Sequence, residues 1–223
     1  MLVLFDIDGT LVRRAGPHHR EALSKAVKRV TGLDTTTEGI PVHGMLDQDI
    51  LRQMLEREGL SKRSIAAAMP DIHLHAQRIY VRTCPDIHRK TCPGVRSLLH
   101  RLTRRKATLA LVTGNLTKIG WKKLERAGLK DYFAFGAFSE MATTRAGLAK
   151  IAIAEARKNG AIEKHSPIAL IGDAPSDILA AKANGIRSIS VATGISTRDE
   201  LAAHMPDVLI DDLRQLSWEM LGE

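Results

Sequence analysis

Leu2-Val3-Leu4-Phe5 is apolar at every position, the pattern of a strand buried on both faces in a parallel sheet covered by helices, and it stops abruptly at Asp6-Ile7-Asp8-Gly9. Beyond Thr10 the period changes. Ala22, Leu23, Ala26, Val27 and Val30 recur at helical spacing and predict a helix from Pro17 to Val30, ended by Gly32. Ile50, Leu51, Met54 and Leu55 share one face of a second predicted helix from about Asp47. A third is expected from near Ser61 towards Arg82. Residues 14–90 therefore read as helical, without a strand.

After Cys92-Pro93-Gly94 the chain alternates between the two periods. A helix over 95–104 leads to a strand over 108–112, then a helix over 117–127 stopped by Gly128, and a short strand over 133–138. A helix over 145–158 precedes a strand over 168–171. The next helix opens at Pro175 and closes at Asn184-Gly185, residues suited to those two ends. A strand over 186–191, a short helix near 197–203, a strand over 207–210 and a final helix complete the series. This alternation implies an α/β fold, a doubly wound parallel sheet. The expected division is a core of residues 1–13 and 91–223, with 14–90 inserted after the first strand as a helical unit.

Composition narrows the picture. Hydrophobic residues make up 44% of the 223, enough to build a proper core. Cys84 and Cys92 are too few for a disulfide-built fold, match no zinc spacing and read as reduced thiols. No apolar run is long enough to span a bilayer, so no membrane partner is expected. With the first strand opening at residue 2, no secretory leader is expected and the chain reads as soluble and cytoplasmic. The formal charge is +8 and the pI about 9.7. The cations are spread along helices and aromatics are only 4%, which argues for a solvated basic surface that attracts small anions, not for a nucleic-acid partner.

The chemistry falls at strand ends. Asp6 and Asp8 follow the first strand, Thr113-Gly114-Asn115 the second and Asp173 with Asp177 a later one. Parallel strands place their carboxyl ends on one edge, so these groups can meet in one crevice. Gathered carboxylates repel unless a cation lies between them, and a hard, oxygen-liganded ion, Mg²⁺, suits the set. The hydroxyl of Thr113 and the backbone N–H groups of Gly114 and Asn115, at a strand-to-helix turn, suit a phosphate. Asp177 lies in a first helical turn, where negative charge is favoured in any case. Metal and phosphate together point to phosphoryl chemistry.

Asp6-Ile7-Asp8-Gly9-Thr10 resembles the first motif of the haloacid dehalogenase superfamily, Leu111-Val112-Thr113-Gly114-Asn115 its second, and Gly172-Asp173-Ala174-Pro175-Ser176-Asp177 its fourth. The resemblance covers the whole chain, with 14–90 similar in position and length to a C1-type helical cap. It implies a phosphatase in which Asp6 attacks phosphorus to form an aspartyl phosphate. Asp8 would protonate the leaving alcohol and then activate water. Asp6, the Asp8 carbonyl and Asp173 would hold Mg²⁺, supported by Asp177, while Thr113 would bind phosphoryl oxygens. The familiar Lys-Pro form of the third motif is missing. Arg145 is the choice for its cation, ahead of Lys150 and Lys118.

Asp8 resembles phosphatases and phosphomutases; dehalogenases lack that acid, and P-type ATPases carry threonine there. The loop His43-Gly44-Met45-Leu46-Asp47 lacks the lysine of phosphonatases; His43 and Met45 are candidates for substrate contact. The sequence looks closest to the phosphoglycolate phosphatase-like group, acting on a small phosphorylated metabolite as a monomer or homodimer. The alternatives are a mutase of the β-phosphoglucomutase kind, or a receiver-like phosphoacceptor or binding protein without turnover.

Overall fold

The computed structural model describes residues 1–13 and 16–222. Six strands form one wholly parallel sheet: β1 (Leu2–Phe5), β2 (Thr108–Val112), β3 (Phe135–Ala137), β4 (Ile168–Gly172), β5 (Arg187–Val191) and β6 (Val208–Ile210). Their spatial order is β3-β2-β1-β4-β5-β6. The chain therefore winds outward from β1 in one direction, then returns to begin the other half beside it. That reversal point is where open α/β sheets hold ligands. Register sets the strand ends nearly flush, because Phe5 pairs with Leu111 on one side and Ile171 on the other.

Both faces are covered, as the uniformly apolar strands require. Val3, Phe5, Leu109, Leu111, Ala169 and Ile171 pack with α4 (Val95–Arg104) and α5 (Thr117–Ala127). Leu2, Leu4, Ala110, Val112 and Leu170 pack on the opposite face with α6 (Arg145–Lys158) and α7 (Pro175–Ala183). A short α8 (Arg198–Ala203) precedes β6. The expected helices 95–104, 117–127 and 145–158 and the strand 108–112 coincide with the observed elements.

Two differences concern the outer half. The strand expected over 133–138 is shorter, Phe135–Ala137, and lies between 3₁₀ turns at Lys130–Tyr132 and Ser139–Met141. The expected final helix is absent among the described residues, which end in a single 3₁₀ turn, Glu219–Leu221. The Asp212 side chain accepts the Arg214 N–H at 2.9 Å, a local bond that competes with helix. Leu213 and Leu216 instead plug the sheet face individually.

The segment between β1 and α4 contains α1 (His18–Thr31), α2 (Asp47–Arg57) and α3 (Lys62–Thr83). These helices have their own apolar cluster, which includes Leu23, Val27, Leu51, Met54, Ile72 and Tyr80, and they seat on Leu116 and Ile119 around α5. The chain leaves and re-enters the core side by side. Val12 bridges antiparallel to Thr91, the Arg13 N–H donates to the Lys90 carbonyl at 2.7 Å, and that of Cys92 to Leu11 at 3.0 Å. The expected boundary between residues 13 and 14 adjoins Arg14 and Ala15, which lie outside the described residues. Among the described residues no helix is long and apolar enough to cross a membrane.

Candidate active site

Three neighbouring strands deliver the site. Asp6 leaves β1 held by its N–H, which donates to the Ile171 carbonyl of β4 at 3.0 Å. Asp173 leaves β4 directly beside it, and Thr113 leaves β2 on the other flank. The first turn of α7 brings Asp177 back towards them; its carboxylate accepts the Ala174 N–H at 3.2 Å. Oxygens of Asp6, Asp173 and Asp177 all lie within 4.8 Å of one another, and all three residues are buried.

Arg145 is the cation among these acids. Its helix is capped by Thr144, whose hydroxyl accepts the Gly147 N–H at 3.0 Å, so the first residue of α6 is aimed inward. Its Nη1 donates to Asp6 Oδ1 at 3.0 Å and to the Val112 carbonyl at 3.2 Å, and its Nε lies 3.4 Å from Asp177 Oδ1. Lys150 and Lys118, by contrast, are exposed. Burial alone would disfavour the Arg145 charge, but Asp6 and Asp177 more than restore it, and its pKa is raised.

One arginine does not balance three acids. Burial, then the charges of Asp6 and Asp177, push the Asp173 carboxyl well above the ordinary range. Burial chiefly pushes that of Asp177 up to about 7 even with Arg145 beside it. Asp173 Oδ2 and Asp177 Oδ1 are buried without hydrogen-bond partners, although Asp173 Oδ1 accepts from Thr10 at 3.1 Å. Buried carboxylate oxygens that accept no hydrogen bond and lie close together fit a hard divalent cation. The backbone is shaped for this acid: a Cβ on Gly9, whose φ is +87°, or on Gly194 would strike the Asp173 carboxylate.

Asp8 is placed differently. Its carboxylate, about 42% exposed, faces the cavity. Lys123 Nζ donates to both of its oxygens at 2.7 and 2.6 Å, and Asn115 Nδ2 to one at 2.8 Å. Burial pushes the Asp8 carboxyl up, but the Lys123 ammonium and these hydrogen bonds outweigh it and hold it below its usual range. Thr113, fully buried, accepts from the Asn115 side chain at 2.7 Å and its backbone N–H at 3.3 Å, which leaves the hydroxyl proton to be donated.

A cavity of about 340 Å³ lies above these groups, roofed by the helical segment. His43 and Met45 both line it. The His43 ring bonds Ser196 at 2.9 Å and lies 3.8 Å from Asp173 Oδ2. The Met45 carbonyl abuts Gly114, where any Cβ would strike it. Gly114 and Asn115 both line the cavity, and Gly114 also seats the helical segment: its carbonyl accepts the Asp47 N–H at 2.8 Å, and Asp47 Oδ2 accepts the Leu116 N–H at 2.8 Å.

Lys123 and His19 stand at the site without having been marked by any strand-end pattern. A signal existed for the lysine. The buried stripe of α5 runs Ile119, Gly120, Lys123, Leu124, Ala127, and a lysine in an apolar stripe needs a buried partner.

A model of the haloacid dehalogenase-like hydrolase family matches residues 1–185. Among the most similar relatives is the phosphoglycolate phosphatase of Vibrio vulnificus, 28% identical and spanning 96% of this chain and 93% of that one. Among solved structures, CbbY from Rhodobacter sphaeroides in complex with phosphate superposes with a TM-score of 0.73, at 22% identity over 99% of this chain and 98% of that one. The β-phosphoglucomutase of Clostridium difficile gives 0.71, at 20% identity over 98% and 93%. These structural likenesses are of fold.

Proposed function

Because the chain belongs to the haloacid dehalogenase-like hydrolases, we propose that it is a Mg²⁺-dependent phosphatase of a small phosphomonoester, working through an aspartyl phosphate on Asp6. The observation that carries this reading is the meeting of Asp6, Asp173 and Asp177 within 4.8 Å at the floor of a cavity that also holds Arg145, Thr113 and Asp8.

The phosphoryl group sits between Asp6 and Thr113, and the Thr113 hydroxyl and the Arg145 guanidinium donate to its oxygens. An Asp6 oxygen forms the new bond to phosphorus as the bond to the leaving oxygen breaks, and Asp8 gives that oxygen its proton. Asp8, now ionised, takes a proton from the water that attacks the acyl phosphate, releasing inorganic phosphate and restoring Asp6. The Lys123 and Asn115 bonds to Asp8 favour this ionised form, which serves the second step and makes the protonated form needed for the first the less populated one. Asp6, the Asp8 carbonyl and Asp173, with Asp177 in support, would hold Mg²⁺, which would neutralise phosphoryl charge. His43 and Met45 belong to the wall that meets the leaving group. The helical segment acts as a cap that excludes water. The relationship to the Vibrio vulnificus phosphoglycolate phosphatase supports phosphoglycolate as the first substrate to try. The buried thiols of Cys84 and Cys92 suit a cytoplasmic setting.

The test is phosphate release from phosphoglycolate and p-nitrophenyl phosphate with and without Mg²⁺. Asp6→Asn and Asp8→Asn should each abolish turnover while circular dichroism remains that of the parent. Near-normal turnover by the Asp6 variant would refute the covalent route. Phosphate moved to a second hydroxyl instead of released would make the chain a mutase.

A further inference from the structure

We infer that Lys123 is a positioning residue for Asp8, and that the helical segment aims it through His19 and Asp47. The inference rests on the reading of Asp8 as the group that protonates the leaving oxygen.

Lys123 is about 4% exposed. An ammonium there is tolerated only if its protons are satisfied, and they are. Three protons face four acceptors, so at least one is shared: the two oxygens of Asp8, Asn115 Oδ1 at 2.6 Å and His19 Nδ1 at 3.2 Å, with the Tyr80 ring centroid 5.9 Å away. Because an ammonium has no lone pair, these bonds fix the orientation of both neutral partners. Asn115 must present its oxygen to Lys123, so its NH₂ points to Asp8 and Thr113. Where His19 Nδ1 accepts one of the ammonium protons, the ring proton is on Nε2 and is donated to Asp47 Oδ2 at 3.0 Å. That same Asp47 oxygen takes the Leu116 N–H, one residue beyond Asn115.

The result is a closed ring of contacts. Asp8 and Lys123 come from the sheet side, His19 and Asp47 from α1 and α2, and the ring returns to the 113–116 turn. A four-carbon lysine stem is flexible and would otherwise sample many positions. Here its head is gripped from both sides of the cavity. A general acid works only within hydrogen-bond reach of the atom it protonates, and small misplacements are costly. The His19 leg therefore makes the seating of the helical segment a condition for the correct pose of Asp8.

The test uses leaving groups that differ in their need for a proton. In the full-length protein, Lys123→Met should lower kcat/KM for phosphoglycolate, whose alkoxide must be protonated, by about 100-fold or more. For 2,4-dinitrophenyl phosphate, whose phenolate leaves unaided, the loss should stay within roughly threefold, since kcat/KM reports only through leaving-group departure. His19→Ala keeps the lysine and removes one leg, so it should show the same selectivity at about tenfold. This second variant serves if the first fails to fold. Equal losses with both esters, or no loss with either, would overturn the inference. A parent protein active on both esters with unaffected variants sinks this inference alone, whereas a parent inert towards both sinks the phosphatase reading and this one with it.

Discussion

Gly114→Ala is a clean probe of how the helical segment is seated, because the φ of Gly114 lies outside the left-handed region and alanine strains no torsion there. A Cβ at this position would lie 2.2 Å from the Met45 carbonyl oxygen and 3.1 Å from its carbon, whereas ordinary contact begins near 3.4 Å. Backbone faces backbone, so no side chain can swing aside, and the 43–47 loop must retreat by about 1 Å. Two bonds span that seam at 2.8 Å each, from the Asp47 N–H to the Gly114 carbonyl and from the Leu116 N–H to the Asp47 carboxylate. Both would stretch beyond useful length. A neutral bond is worth about 0.5–1.5 kcal/mol and one to a charged acceptor about 1.5–3, so the cost is roughly 2–4 kcal/mol. At roughly 2–4 °C per kcal/mol for a chain of this size, Tm should fall by about 5–15 °C. Urea denaturation followed by circular dichroism, with calorimetry, measures it. A loss under 1 kcal/mol would refute the argument that backbone approach is what requires a glycine here.

Further outcomes follow from the acidic floor. Arg145→Lys should retain only part of kcat, since an ammonium cannot reach Asp6, Asp177 and the Val112 carbonyl together, and Arg145→Met should lose about 3–5 kcal/mol of stability by leaving buried acids unpaired. Full kcat in the lysine variant would contradict this, as read by phosphate release. In the metal-free protein, the carboxyls of Asp173 and Asp177 bind protons more tightly folded than unfolded, so their stabilising contribution is present at low pH and lost as pH rises above about 4, through about 7 for Asp177. Mg²⁺ competes with those protons, so the Tm gain it gives should grow between pH 5 and 8 and vanish in Asp173→Asn; an equal gain at both ends would refute the assignment.

The chemistry that was legible in the sequence lies at strand ends. An apolar run that stops at Asp6, at Thr113 or at Asp173 announces both its burial and its exit. Flush register between β1, β2 and β4 then carries those exits to one edge without further information. What local pattern does not carry is docking. Lys123 is far from Asp8 in sequence, and its meeting with His19 depends on how α1 packs on α3 and α3 on α5. The Thr113-Gly114-Asn115 turn reads as an anion seat, yet Gly114 faces the Met45 carbonyl, a contact between distant backbones. The missing final helix has a local cause, the Asp212 side chain, that periodicity alone does not weigh.

The paired crossing at Val12 and Thr91 has a consequence for the core's folding. Since the two polypeptide threads are hydrogen-bonded to one another where the insertion departs, the sheet meets it as a connection of hairpin length. The entropy of closing a long excursion grows only logarithmically and is borne at that clasp, not by the β1–β2 pairing. The excursion can be enlarged, trimmed or exchanged for another fold while Asp6 and Thr113 keep their places side by side.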